Sequence, residues 1–221
     1  MDSITMLAHP SSVSYVLREN NDEYCVLAYI PNILPEPLVN ELTQEFETLE
    51  FYQGTMESGS PIHREQIWFQ NDGHYFCRAW TNRYPRWEAH TYTAGITRVQ
   101  QYLQTEIVPQ LVEMHQTVRP LEMNSCLLNW YRDGTQFIPP HRDSAVSFGE
   151  NPTILGVSIG AERTLRLTRR SGPHQEYNIR LANNSMFMMA GATQRYYFHE
   201  IPAEPSCQQE RWSLTFREYL V

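Results

Sequence analysis

Cysteine is scarce: Cys25, Cys77, Cys126 and Cys207 are the only four in 221 residues, and no two form a CxxC pair. That excludes a disulfide framework and a cysteine zinc site, and leaves reduced thiols in an intracellular protein as the reading. No apolar run approaches the length of a membrane span, and the opening MDSITMLAHPSSVSYVLREN has no basic-then-apolar leader pattern. Charged residues make up 19% of the chain and form no block of one sign, so disorder is expected only at the termini. A basic surplus is also missing. The net charge is -8 and the sequence pI about 5.5, which argues against a surface that is basic all over but leaves room for a local basic track. The expectation is a membrane-free intracellular monomer, with cytoplasm and nucleus not distinguished.

Aromatic residues are plentiful. With 9 Phe, 13 Tyr and 5 Trp in a chain that is 41% hydrophobic, one sizeable core and one domain are expected. Residues 1–22 read as a flexible, irregular lead-in and 23–221 as the single domain. EYCVLAYIPNIL (23–34) is strand-like, and LVNELTQEFETLEF follows Pro37 with apolar residues at helical spacing. AGITRVQQYLQTEIV (94–108) repeats that spacing, and Pro109 is expected to end or kink it. Between these helices, HREQIWFQNDGHYFCRAW (63–80) suggests a hairpin turning at Asn71-Asp72-Gly73. From Asn124 the pattern changes to about eight short extended runs separated by turn residues, beginning with SCLLNWY and ending with RWSLTFREYL. The fold class is therefore α+β: supporting helices first, then a jelly-roll barrel, the double-stranded β-helix, over about 124–221.

HRD at 141–143 carries the first chemical signal. On an extended segment His141 and Asp143 point to one side and can reach one ion. His199, in YYFHEIP, is the natural third ligand. Two imidazoles and a carboxylate on one octahedral face describe a non-haem Fe(II) oxygenase site with open positions. The final strand supplies the second signal: Arg211, Ser213, Thr215 and Arg217 share one face, opposite Trp212, Leu214 and Phe216. Two arginines beside an apolar face call for an anion, either a bound ligand or, for one of them, an acidic residue of the chain itself. A chelating 2-oxo dicarboxylate such as 2-oxoglutarate fits, because its far carboxylate calls for a forked cationic donor. Asn129 and Tyr131 share a face one strand upstream and can bond the same ligand.

NSCLLNWYRDGTQFIPPHRD, GVSIGAERTLRL, MFMMAGATQRYYFHEIP and RWSLTFR, in this order, resemble the AlkB family of Fe(II)/2-oxoglutarate dioxygenases, over nearly the whole chain from about residue 24. PIHREQIWFQNDGHYF resembles that family's nucleotide-recognition lid, which places a lid-like region at about 61–85. The resemblance implies iron at His141, Asp143 and His199, and cosubstrate contacts at Asn129, Tyr131, Arg211 and Arg217, with Ser213 and Thr215 close by. No catalytic acid or base is needed beyond the metal centre. It further implies oxidative demethylation of N-alkylated nucleobases in DNA or RNA, with alkylated nucleic acid as the partner and succinate, CO2 and an aldehyde released. Trp68, Phe69 and Tyr75 are candidates to stack on a flipped base, with core packing as the alternative. Arg163 lies either near substrate or in a structural role. Arg78, Arg83, Arg86, Arg169 and Arg170 are candidates for a basic track. Two departures stand out: Ser213 replaces an asparagine common in the family, and Ser144-Ala145 follow Asp143 where nucleic-acid-acting members often have acids. The alternative substrate is a protein side chain or small molecule.

Overall fold

The computed structural model describes residues 12–19, 23–55, 59–115 and 121–220. Among the described residues eleven strands form two sheets. They are β1 (Val13–Arg18), β2 (Tyr24–Pro31), β3 (Glu65–Gln70), β4 (Ser125–Tyr131), β5 (Ile138–His141) and β6 (Ile154–Gly160), followed by β7 (Arg163–Arg169), β8 (Glu176–Leu181), β9 (Ser185–Gly191), β10 (Tyr197–Ile201) and β11 (Arg211–Arg217). The larger sheet runs β1-β2-β9-β6-β11-β4-β3 and the smaller β5-β10-β7-β8. Each of the eight extended runs expected after Asn124 is a strand. Together they divide into two four-stranded sets, β4, β6, β9 and β11 in one sheet and β5, β7, β8 and β10 in the other, which is the jelly roll, and β1, β2 and β3 widen one sheet at its edges.

The two faces of the large sheet differ as strand alternation requires. One face packs against helices α1 (Glu36–Phe46) and α2 (Ala94–Tyr102), burying Leu42, Phe46, Ile96, Val99, Leu128, Leu214 and Phe216. Pro37 sits in the first turn of α1, where its missing N–H costs nothing. Thr93 caps α2 by accepting the Ile96 N–H at 3.3 Å. Glu45 of α1 accepts from the Gly95 N–H at 2.9 Å, and a Cβ on Gly95 would stand 2.9 Å from that carboxylate, so glycine permits the contact. After Tyr102 the helix widens into a π segment, Leu103–Ile107, before α3 (Val108–Met114), which places the expected Pro109 disturbance one turn early. The opposite face of the large sheet looks into the barrel.

Two expectations fail here. Within the supposed irregular lead-in, Val13–Arg18 is an edge strand that pairs antiparallel with β2; the other lead-in residues, 1–11 and 20–22, lie outside the described ones. Arg169 holds this strand's exit by donating to both carboxylate oxygens of Glu19, at 2.8 and 2.6 Å. The hairpin at Asn71-Asp72-Gly73 does not form. The turn is made, with Gly73 N–H donating to Gln70 O, but no return strand follows, and residues 78–80 and 85–87 are single 3-10 turns. β3 pairs with β4 instead, because its apolar residues complete the larger sheet and bury more surface there than in a free hairpin.

Candidate metal and cosubstrate site

His141 ends β5, and His199 lies directly opposite it on β10, next to a bulge in that pairing. Asp143 lies two residues past His141, on the loop after β5. The ligand atoms of His141, Asp143 and His199 all fall within 4.8 Å of one another, the one such group of three among the described residues. The His141 and His199 rings stand 4.1 Å apart. Like-charged imidazoliums at that distance would repel, and burial disfavours the charged form of both rings. Burial first, and then the neighbouring His141, push His199 down to about 3. Burial likewise lowers His141, partly offset by Asp143. Burial alone would raise the Asp143 carboxyl, but Arg217, His199 and His141 outweigh it and hold it below its ordinary value. Neutral imidazoles and an ionised carboxylate are the protonation states that ligate a cation.

Neighbours fix the ligands in place. Arg217 Nε donates to Asp143 Oδ2 at 2.5 Å with both side chains buried. The Asp143 N–H donates to Gln194 Oε1 at 2.9 Å, and Pro139 O lies 2.9 Å from His141 Nδ1, leaving Nε2 for an ion. Gln194 was not legible as a site residue; it stands in a one-turn helix, Thr193–Tyr196, and nothing in its local sequence marks it.

β11 delivers the anion site. Its registers set Arg211 opposite Tyr131, Ser213 opposite Asn129, and Arg217 opposite Ser125. Arg211 is 1% exposed; one nitrogen donates to Ser158 Oγ at 2.9 Å, while Nε and Nη1 are buried without a partner. Burial lowers its proton affinity to about 10, so it stays charged at neutral pH. A buried cation with two open donors is costly unless an anion completes it. The residues present therefore fit both a ferrous ion and a carboxylate-bearing cosubstrate. A second arginine joins them: Arg64, in the turn before β3, is buried and donates through Nε to Asn129 Oδ1 at 2.7 Å. Its place two residues before Gln66, on the barrel-facing side of the strand, was the available signal.

The substrate-side candidates divide. Trp68 has no exposed surface: it packs against Phe76, Phe148 and Tyr219, and its Nε1 donates to His74 O at 2.8 Å. Phe69 points the other way, into the helix-side core. Both are core residues and do not offer a stacking face. Tyr75 stays half-buried at the rim of the Trp68 cluster. Arg163 is 1% exposed and donates to the carbonyls of Asp133, Gln136 and Pro202, at 3.2, 2.8 and 2.7 Å; it ties loops together, with its Nε 3.9 Å from Glu204 Oε1. The basic track is shortened too, since Glu19 engages Arg169 and the Arg195 carbonyl engages Arg170.

The sequence pattern of the 2OG-Fe(II) oxygenase superfamily matches residues 26–217. The "Alpha-ketoglutarate-dependent dioxygenase alkB homolog 3" of Mus musculus is 34% identical over 102 residues, 42% of this chain and 36% of that protein. The "DNA oxidative demethylase ALKBH2" of Arabidopsis thaliana is 29% identical over 116 residues, 42% of this chain and 37% of that protein. The matches thus span little more than a third of these relatives' length. In fold, OsALKBH1 superposes with a TM-score of 0.62 over 93% of this chain and 100% of its own, at 13% identity. A prolyl hydroxylase from Trichoplax adhaerens superposes at 0.57 over 88% and 83%, at 12% identity. With the ligand triad and the open arginine already in place, the match over 26–217 closes the case: this chain belongs to the 2OG-Fe(II) oxygenase superfamily.

Proposed function

We propose that the chain oxidatively dealkylates N-alkylated nucleobases in DNA or RNA. The observation that carries the oxygenase part is the convergence of His141, Asp143 and His199 beside the open donors of Arg211. His141, Asp143 and His199 would hold Fe(II), and Arg211, Tyr131, Asn129, Ser213, Thr215 and Arg217 would receive 2-oxoglutarate. When bound, these groups supply the oxidation, in which dioxygen and 2-oxoglutarate convert an N-methyl group to N–H with release of formaldehyde, succinate and CO2. The chain's residues orient and shield. Arg211 takes the cosubstrate's far carboxylate with its two open N–H groups, a bidentate geometry lysine lacks. Arg217 holds the Asp143 carboxylate in its ionised form and ties β11 to the metal ligands. Gln194 fixes the backbone that carries Asp143. The aromatic cluster of Trp68, Phe76 and Phe148 walls one side and keeps water out, with Phe148 lying 5.0 Å from the Arg217 guanidinium carbon. The names borne by its relatives support the nucleobase reading.

Aerobic incubation with Fe(II), 2-oxoglutarate and a panel of methylated oligonucleotides tests the proposal. Loss of one methylene's mass from an oligonucleotide, with equimolar succinate and formaldehyde, is the expected result. Succinate formed while every oligonucleotide stays unchanged would point to a protein side chain or small molecule as substrate.

A further inference from the structure

Alkylation affects the charge of a base in two ways. At a ring nitrogen that carries only a lone pair, such as N1 of adenine or N3 of cytosine, it fixes a positive charge. At a nitrogen that bears hydrogen, such as N3 of thymine or N1 of guanine, it leaves a neutral base with a carbonyl oxygen beside the methyl group. A pocket that receives the first kind needs negative charge, and one that receives the second needs donors.

This chain offers donors and positive charge. Arg64 is buried with its Nε donating to Asn129 Oδ1 at 2.7 Å, and Asn129 stands opposite Ser213 of β11. Arg86 lies half-buried over Gly54, where a Cβ would stand 2.4 Å from its side chain, and its Nε is buried without a partner. Among the described residues no carboxylate pairs with either arginine, and Glu65, the acid beside Arg64 in sequence, is engaged by Arg132. Gln66 stands opposite Asn129 in the β3–β4 register, fully buried, with both its amide nitrogen and its amide oxygen unpartnered. A buried amide with neither atom bonded is rare and costs free energy until something binds it. On the other side, Asp143 is already engaged by Arg217, whose Nε donates to its Oδ2 at 2.5 Å. Ser144 and Ala145 follow it, so no further acid stands there.

We infer that Arg64, Gln66 and Arg86 form a specificity site that selects neutral, carbonyl-bearing alkylated bases and rejects cationic ones. The inference rests on the nucleobase reading. Gln66 supplies one donor and one acceptor to the base edge, in the manner by which amide side chains read bases. Arg64 and Arg86 supply donors to a carbonyl oxygen and repel a fixed positive charge in a site screened from water.

The test compares single-stranded oligonucleotides of one sequence carrying 3-methylthymine or 1-methylguanine with those carrying 1-methyladenine or 3-methylcytosine. The full chain with Fe(II) and 2-oxoglutarate is expected to give kcat/KM at least about tenfold higher for the neutral pair, since one hydrogen bond to a charged donor is worth that much. Gln66→Glu, which keeps the shape and adds a negative charge, is expected to narrow or invert the ratio, and Arg86→Met to narrow it. Quenching of tryptophan fluorescence in the metal-free protein by 3-methylthymidine and 1-methyladenosine gives the same ranking without turnover. Equal or cationic-favouring rates in the wild type, or a ratio that neither variant moves, overturns the inference while the dealkylase reading stands. Neutral-selective binding that Gln66→Glu inverts, with no base oxidised, upholds the charge selection and removes the dealkylase reading. No binding and no oxidation removes both.

Discussion

Arg211→Met separates the needs of folding from those of cosubstrate binding. In the wild type a guanidinium 1% exposed holds one partner, Ser158 Oγ at 2.9 Å, and leaves Nε and Nη1 open. A hydrogen bond to a charged group contributes about 1.5–3 kcal/mol, so two of them to a carboxylate come to ~3–6 kcal/mol. Their loss weakens 2-oxoglutarate binding by about 10²- to 10⁴-fold at ~1.4 kcal/mol per decade. Stability moves the other way. Methionine fills a similar volume and removes a buried charge that no carboxylate balances, so the ligand-free variant is expected to melt at or above the wild-type temperature. Arg211→Lys keeps the charge but loses the fork and is expected to fall between the two in affinity. Anaerobic calorimetry with Mn(II) in place of iron reads the affinity, and scanning calorimetry of the ligand-free protein reads the stability. Affinity within about threefold of wild type would refute this reasoning, since mutational effects below that are ordinary background. So would a large drop in melting temperature, which would make Arg211 a structural arginine.

Three further outcomes follow from the same geometry. Arg163→Met removes the donor from three part-buried carbonyls and is expected to destabilise by roughly 2–4 kcal/mol in urea unfolding, while the folded fraction keeps its choice among methylated substrates; altered choice would return Arg163 to the substrate site. Glu19→Gln breaks the paired contact with Arg169 at a carboxylate 4% exposed and is expected to cost about 1–2 kcal/mol, with faster amide exchange confined to Val13–Arg18 and β2; unchanged exchange there would show that β1 needs no anchor. Burial pushes the Cys25 thiol up to about 12 and raises that of Cys126 further. Thiolate is the reactive form, so at pH 8 a disulfide reagent is expected to modify Cys77 and Cys207 rapidly, and Cys25 and Cys126 only after denaturation; rapid reaction of four thiols in the native protein would contradict the buried assignment.

The barrel was legible because its eight strands alternate at period two and are separated by turn residues, and both signals are local. The metal and anion residues were legible for a related reason: His141 and Asp143 are two apart, and β11 displays its arginines on one face whatever it pairs with. What failed depended on distant partners. β3 carries a turn signal at Asn71-Asp72-Gly73, but its mate is β4, which starts more than fifty residues later at Ser125. β1 sits in polar sequence and is recognisable only once β2 and Arg169 are beside it. Arg163 carries a charge that suits an anion equally well, and three carbonyls from two separate loops decide otherwise. Trp68 looked like a stacking platform because aromatic composition says nothing about which side of a strand faces solvent. Gln194 acts through one backbone hydrogen bond, which no local pattern announces.

Anaerobic titration with ferrous ion tests the account most directly. The wild-type chain is expected to bind one ion, and addition of 2-oxoglutarate to that complex to produce the visible absorption of a chelated ferrous centre. His199→Ala is expected to weaken the ion by at least about a hundredfold, since changes to residues that merely support metal ligands cost about ten- to a hundredfold. An ion held equally well by His199→Ala would mean that His141, Asp143 and His199 are not the metal site.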